Sequence, residues 1–518
     1  MDHCEEHLVT TDSPQATSAP WGPWIALGLA VVVGHAVCMS VLNAPLTEME
    51  AGLGYGAWHI THGGPILLHT SQGGVPLGLL PELLSALLAG LHEPSALAIR
   101  AISLASLLVL LVAAGSLTYS TTGSSRLSIL MVGLTGIEPW LFLTAITGNP
   151  FIVEAALLAS FAATAVHSWK SWSWRTTAAA GCLILLLGLS GGSGPAFALL
   201  AAAVPIAARK TPMPASLLIL VAAVAPLILA FSAAHGTLGL LPLLIGSAVA
   251  SPPSFLLHAA QYLSPDFLFI HGGPDLLYST GGSGVLYAYD IVPLLLGIAV
   301  WMASSRARIL SWPLVGTVTA LLIASLAASP TSAGLSLPAL PFVVPLLACG
   351  WKEISSFLAR IPRGAARVTV LVVAATLPVS YVMYALATYP GIAAQVTTPS
   401  QPALASYLAA QARITSVYVE PSAPLSLLQA AYAFRPANLS DASFHKAGMQ
   451  FISSGASIPR HGLLVLPGAA APPKGSSLLT TFDDFIGVPE RWNTASIWPW
   501  PAGTIQEDSI YVLPGGAS

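Results

Sequence analysis

Apolar residues along this chain come in long blocks rather than in alternation. Runs dominated by Leu, Ala, Val and Ile occupy 22–42, 101–119, 127–147, 152–169, 176–190, 195–208, 214–233, 289–303, 312–328, 337–350 and 369–389. A helix needs about 20 mostly apolar residues to cross a bilayer core, so the pattern predicts about eleven transmembrane helices on that criterion. Residues 75–91 are also apolar, but Pro81 and Glu82 interrupt them.

The basic residues orient these spans. With the N-terminus in the cytoplasm and strict alternation, the inner connections carry Arg126, Lys170, Arg175, Arg209, Lys210, Arg306, Arg308, Lys352, Arg360, Arg363 and Arg367. The outer connections up to residue 389 carry only Arg100. This is a strong positive-inside bias. Counting 75–91 as a span would put every later basic cluster outside, so that segment is read as an interfacial helix within an outer loop. The chain then divides into a cytoplasmic tail (1–21), a transmembrane domain (22–389) with outer loops at 43–100 and 235–288, and an outer domain (390–518).

The last region has a different texture. It holds six basic and seven acidic residues. Leu404–Ala412 and Leu425–Ala433 read as helices, and Ser416–Glu420, Leu463–Leu466 and Ser509–Leu513 as strands. A small α/β domain on the outer face is expected.

Composition agrees with the pattern. The 518 residues are 55% apolar and 8% charged, with a mean hydropathy of +0.76. Soluble domains carry about 25% charged residues, so this chain cannot cover a water-facing surface. It is an all-α polytopic membrane protein of the plasma (inner) membrane apart from its tail domain. A net charge of −3 gives no reason to expect a nucleic-acid partner. Cys38, Cys182 and Cys349 lie in apolar spans and Cys4 in the tail, which implies no disulfide framework. The first twenty residues contain no Lys or Arg and do not read as a cleavable signal.

Ionisable groups at a membrane are costly and mark candidate chemistry. Glu48 and Glu50 follow the first span and could take a proton from an acceptor, or simply be solvated at a helix end. His59 and His62, spaced i, i+3, could share a metal with His69, or hydrogen-bond a headgroup or phosphate. Metal dependence therefore stays open. Glu138 and Glu154 could line a polar cavity or make helix-packing hydrogen bonds. In the long outer loop Asp266, His271, Asp275, Tyr278, Tyr287 and Asp290 could contact a ligand. A lipid phosphate would need cationic or N–H donors, and Arg100 is the one outer arginine before the tail.

Certain stretches resemble a known family. Leu46–Ala51 (LTEMEA), Tyr55-Gly56-Ala57 and His62-Gly63-Gly64 resemble the first outer loop of GT-C-fold membrane glycosyltransferases, in particular bacterial relatives of the dolichyl-phosphate-mannose protein mannosyltransferases (glycosyltransferase family 39). Pro76–Arg100 resembles the family's amphipathic helix and the Arg opening its second span. Glu138-Pro139-Trp140 with Glu154-Ala155, and above all Tyr262–Leu296, resemble later family segments. The resemblance implies a polyprenyl-phosphate-linked sugar as donor and a lipid, glycan or protein as acceptor. It implies transfer on the outer face, with a first-loop acid as base: Glu50, with Glu48 beside it. Arg100, His59, His62, Glu154, His271, Asp275 and Tyr278 are the expected binding residues. Met49 stands where the family carries its leading Asp. The alternative reading is therefore a catalytically degenerate relative that binds lipid or scaffolds a partner.

Overall fold

The computed structural model describes residues 21–42, 46–62, 78–89, 96–169, 172–207, 213–233, 244, 249–273, 283–303, 312–328, 331–360, 364, 376, 378–387, 400–420, 427–436, 441–452, 461–467, 473–486 and 504–513. They pack as two compact units. One comprises Met1–Val41, Gly73–Pro81 and Arg100–Tyr384; the other comprises Leu42–Gln72, Glu82–Ile99 and Ala385–Ser518.

The first unit is helical and apolar. Among the described residues, Trp21–Ser40, Ala96–Thr122, Pro150–Ser168 and Ala333–Arg360 are each long and apolar enough to cross a membrane. Ser125–Ile137 and Pro139–Ile146 make a fifth candidate as a pair bent by 59°. The bend has a local cause. Pro139 supplies no amide for the helical ladder, and Glu138 before it is extended (φ −56°, ψ 140°), as a residue preceding proline tends to be. Hydropathy shows 127–147 as one block because a proline costs it little.

Shorter apolar helices fill the rest, among them Trp174–Leu189, Gly194–Ala207, Met213–Ala233, Ile291–Ala303 and Trp312–Ser325. One pairing departs from the sequence expectation. Strict alternation sends 289–303 and 337–350 the same way, with one span between them. In the structure the two helices run antiparallel, because Pro293 meets Gly350 while Gly297 meets Leu346. The backbones touch at both places. A Cβ on Gly350 would lie 1.7 Å from the Pro293 carbonyl oxygen, and one on Gly297 1.9 Å from that of Leu346. Small residues permit such close approach between membrane helices. Ile291–Ala303 has 13 residues, about 20 Å of helix against a core of about 30 Å. Its ends therefore need not mark opposite faces, and counting apolar blocks miscounts the reversals.

The second unit is α/β. Its strands are β1 (Val417–Val419), β2 (Met449–Phe451), β3 (Leu463–Pro467), β4 (Ser477–Ile486) and β5 (Thr504–Val512), in the order β2-β1-β3-β5-β4. β1 is parallel to β2 and β3, whereas β5 is antiparallel to β3 and β4. β1 and β3 appear where alternation and β-branching predict them. The helices Ser400–Gln411 and Leu427–Phe434 match their expected positions, and β5 begins earlier than Ser509. The sequence reading did not anticipate β2 or β4. β2 is only three residues long, and β4 carries the polar run Thr480-Thr481 and Asp483-Asp484.

This unit's core gathers Leu404, Leu408, Val417, Val419, Ala430, Phe444, Val465 and Ile510. Tyr55, from the Glu48–Thr61 helix between the first two spans, is part of the same cluster.

Candidate active site

The Glu48–Thr61 helix carries most of the first-loop candidates. Its start is a capping box: the Glu50 amide donates to Thr47 Oγ1 at 3.1 Å, and the Thr47 amide donates to Glu50 Oε2 at 2.8 Å. The Thr-x-x-Glu spacing favours this reciprocal pairing. Glu50 is fully buried, while Glu48 is half-buried. The fourteen residues include Gly52, Gly54 and Gly56. Two of these glycines are required by neighbours. A Cβ on Gly54 would meet the Tyr432 ring at 2.4 Å, and one on Gly56 would meet the Glu82 carboxyl carbon at 2.7 Å.

That second contact brings in an acid the sequence reading passed over. Glu82 lies in the Leu79–Ala89 helix and is 0% exposed. It looked like an interruption in an apolar block, yet it is where the Leu79–Ala89 helix meets the acid-bearing one. An acid inside an apolar block of the first outer loop was the available signal.

His59 is buried, with Nε2 2.8 Å from Tyr55 Oη and 3.2 Å from the Pro436 carbonyl oxygen. Tyr55 Oη donates to the same carbonyl at 2.9 Å. Because the single Tyr55 hydroxyl proton goes to Pro436, His59 Nε2 must carry the proton that joins them. Burial pushes the Tyr55 phenol up from its ordinary range. His62, one turn on, is exposed; its Nδ1 lies 2.9 Å from the Trp58 carbonyl oxygen, and its ring packs on Trp58. The two histidines thus have different surroundings. Among the described residues no group of three or more His, Cys, Asp or Glu is placed to hold a metal. His69, Asp275 and Tyr278 lie outside the described residues.

The first unit holds Arg100, Glu154 and His271. Arg100 is buried near the start of the Ala96–Thr122 helix. Glu154 Oε1 accepts from Ser193 Oγ at 2.6 Å, and the carboxyl also accepts from the Ser193 and Gly194 amides. It thereby holds the turn that opens the Gly194–Ala207 helix. His271 Nδ1 is 2.5 Å from Asp266 Oδ1, both partly exposed. A π-turn over Asp266–Ile270 places residue i+5 above residue i, and the His271 amide donates to the Asp266 carbonyl at 2.8 Å.

A shallow hollow lies beside His271, lined by Pro139, Gly272, Ser283, Gly284, Val285, Ala333 and Tyr381. The Trp140 amide donates to Val285 (3.0 Å) and its indole to Ala333 (2.9 Å), closing the wall. Glu138, which precedes Pro139 in the chain, lies beside Asp290, the two 2% and 1% exposed. The Tyr287 amide donates to Glu138 Oε2 at 3.3 Å, and the Asp290 carboxyl lies within reach of the Glu138 carboxyl, the Trp351 indole and the Tyr287 amide.

No protein-family model matches this chain, and no curated protein does either. Solved structures do. The apo structure of ArnT from Cupriavidus metallidurans aligns over 96% of this chain and 99% of its own, with a TM-score of 0.51 at 12% identity. The same protein bound to undecaprenyl phosphate aligns over 86% and 93%, with a TM-score of 0.48 at 13% identity. An Archaeoglobus fulgidus oligosaccharyltransferase tethered to an acceptor peptide aligns over 76% and 61%, with a TM-score of 0.46 at 14% identity. The near full-length match to apo ArnT defines the class: this is a multi-pass membrane protein with the GT-C fold of membrane glycosyltransferases.

Proposed function

We propose that the chain transfers a sugar from a polyprenyl phosphate to a lipid, glycan or protein acceptor at the outer face of the plasma membrane, as glycosyltransferase family 39 enzymes do. One observation carries the reading beyond the fold. The Glu48–Thr61 helix bears Glu48 and the fully buried Glu50, and a third acid, the fully buried Glu82 of the Leu79–Ala89 helix, packs against its Gly56. Ionisable groups buried at a membrane are costly, and three acids gathered at one short helix give a chemical role a place to act.

In the proposed step the acceptor oxygen attacks the sugar's anomeric carbon. The carbon–oxygen bond to the phosphate breaks, and polyprenyl phosphate leaves. The acceptor proton passes to Glu50 or Glu48, the other acid orienting the acceptor. Arg100, His59, His62, Glu154, His271, Asp275 and Tyr278 are the donor- or acceptor-binding residues in this reading. A general base of this kind contributes about 10²–10⁴-fold. With purified protein in lipid discs and labelled polyprenyl-phosphate sugars, Glu48→Gln plus Glu50→Gln is expected to cut turnover by about that factor. Unchanged turnover would remove both from the base role.

A second reading has its own support. Glu50 is engaged by its capping box, and Met49 occupies the position of the family's leading acid. A scaffold would bind the labelled lipid saturably and release no polyprenyl phosphate.

A further inference from the structure

The Glu48–Thr61 helix is poorly suited to stand alone. Three of its fourteen residues are glycine, each costing about 1 kcal/mol against alanine in a helix interior. Helices this short are marginal in water even with good formers. Something else must hold it, and the C-terminal part of the chain does so at three levels.

At the helix entry, Gln429 Nε2 donates to the Leu46 carbonyl at 2.8 Å, one residue before the capping threonine. In the middle, the Tyr432 ring lies against Gly54. One turn further, the Pro436 carbonyl takes the Tyr55 hydroxyl and lies 3.2 Å from His59 Nε2. Gln429, Tyr432 and Pro436 all belong to the Leu427–Phe434 helix or its exit. That exit has an unusual conformation. Arg435 has φ 51°, the left-handed region that non-glycine residues enter at a cost of about 1–2 kcal/mol. The turn is what sets the next carbonyl against Tyr55. Strain kept at one point of a fold signals that the resulting geometry is used.

We infer that Tyr55, Gln429 and the Pro436 carbonyl are positioning groups for the acid-bearing helix. The region after the last span then forms part of the transferase centre rather than a separable acceptor-binding module. The inference rests on the proposed transfer reaction for its consequence, but the grip itself is measurable without turnover.

The test uses the full-length protein in lipid discs. In a Tyr55→Phe plus Gln429→Ala variant, amide exchange over residues 48–61 should accelerate at least tenfold. Exchange over 102–120 should stay unchanged. Sugar transfer should fall about tenfold. Adding a disulfide across the grip, through Gly54→Cys with Tyr432→Cys, should restore both the slow exchange and the transfer rate, and reductant should reverse the rescue. Unchanged exchange over 48–61 would overturn the inference, as would faster exchange with full transfer activity or a disulfide that fails to rescue. If wild-type protein transfers no sugar while its exchange responds as expected, the transferase reading fails and the grip stands.

Discussion

Glu154 and Asp290 are equally hidden acids, each 1% exposed, in the same helical unit, yet their surroundings are opposite. Glu154 faces a turn that supplies a hydroxyl and two amides. Asp290 faces a second carboxyl, Glu138, and shares a hydrogen bond with it, beside the Trp351 indole and the Tyr287 amide. Burial alone therefore says little about what a membrane acid does. Besides the ligand contact proposed for it, the Glu154 carboxyl is part of the architecture, since a chain turn is built on it. The Asp290 carboxyl is instead shared with a second acid. It begins the Ile291–Ala303 helix and Glu138 precedes the Pro139–Ile146 helix, so each sits at the positive end of a helix dipole. That is a modest favour, worth about 0.3–1 kcal/mol at exposed sites.

The contrast breaks most visibly at Glu154. Glu154→Leu leaves the Ser193 hydroxyl and amide without their acceptor in an apolar interior, where each orphaned group costs about 1–3 kcal/mol. The expected loss is about 3 kcal/mol, read as a large fall in the thermal midpoint of the purified protein. Glu154→Gln keeps one acceptor oxygen and should lose about a third as much. Equal losses for the two variants would mean that the turn does not depend on the carboxyl.

A buried hydroxyl in the second unit extends the comparison to a neutral group. Tyr55 is fully buried, with its hydroxyl on Pro436, and its phenol is pushed up. Above the ordinary tyrosine value of about 10 the unfolded chain loses this proton and the folded chain keeps it. The unfolded state then binds fewer protons, so stability falls as pH rises. Below about pH 10 the contribution is complete. Above it the loss approaches about 1.4 kcal/mol per pH unit. Tyr55→Phe should flatten this alkaline slope, measured as melting midpoints between about pH 9 and 11. An unchanged slope would assign the alkaline loss to other groups.

The membrane character and most of the C-terminal elements were legible because they depend on local pattern, long Leu and Ala blocks and the alternation around Val417; the Glu48–Thr61 helix was not anticipated, although Thr47-x-x-Glu50 was there as its capping signal. The site was legible only as residue types. His59 and His62 look equivalent in sequence, yet one is buried against Tyr55 and the other is exposed, because the register of a single helix decides which face meets the C-terminal core. Glu82 was hidden in plain view. An acid in an apolar block reads as a break until a glycine on another helix, Gly56, is found to make room for it. The antiparallel run of Ile291–Ala303 against Leu340–Arg360 was not legible at all, since hydropathy carries no direction.

The smallest expected effect falls on Asp290, and it is the sharpest test of the comparison. Asp290→Asn keeps an acceptor oxygen for the Trp351 indole and the Tyr287 amide, so neither donor is orphaned and the usual penalty for deleting a polar contact does not apply. Replacing one of two adjacent buried carboxyls by an amide also ends their mutual repulsion and gives Glu138 a neighbouring N–H donor. Asp290→Asn should therefore be neutral or raise stability by up to about 1 kcal/mol, and Glu138→Gln plus Asp290→Asn should gain little more, because the first substitution has already relieved the pair. The measurement is a double-mutant cycle on melting midpoints in one detergent. If Asp290→Asn instead lost as much as Glu154→Leu, Asp290 would be a supporting group like Glu154, and the distinction between the two acids would be gone.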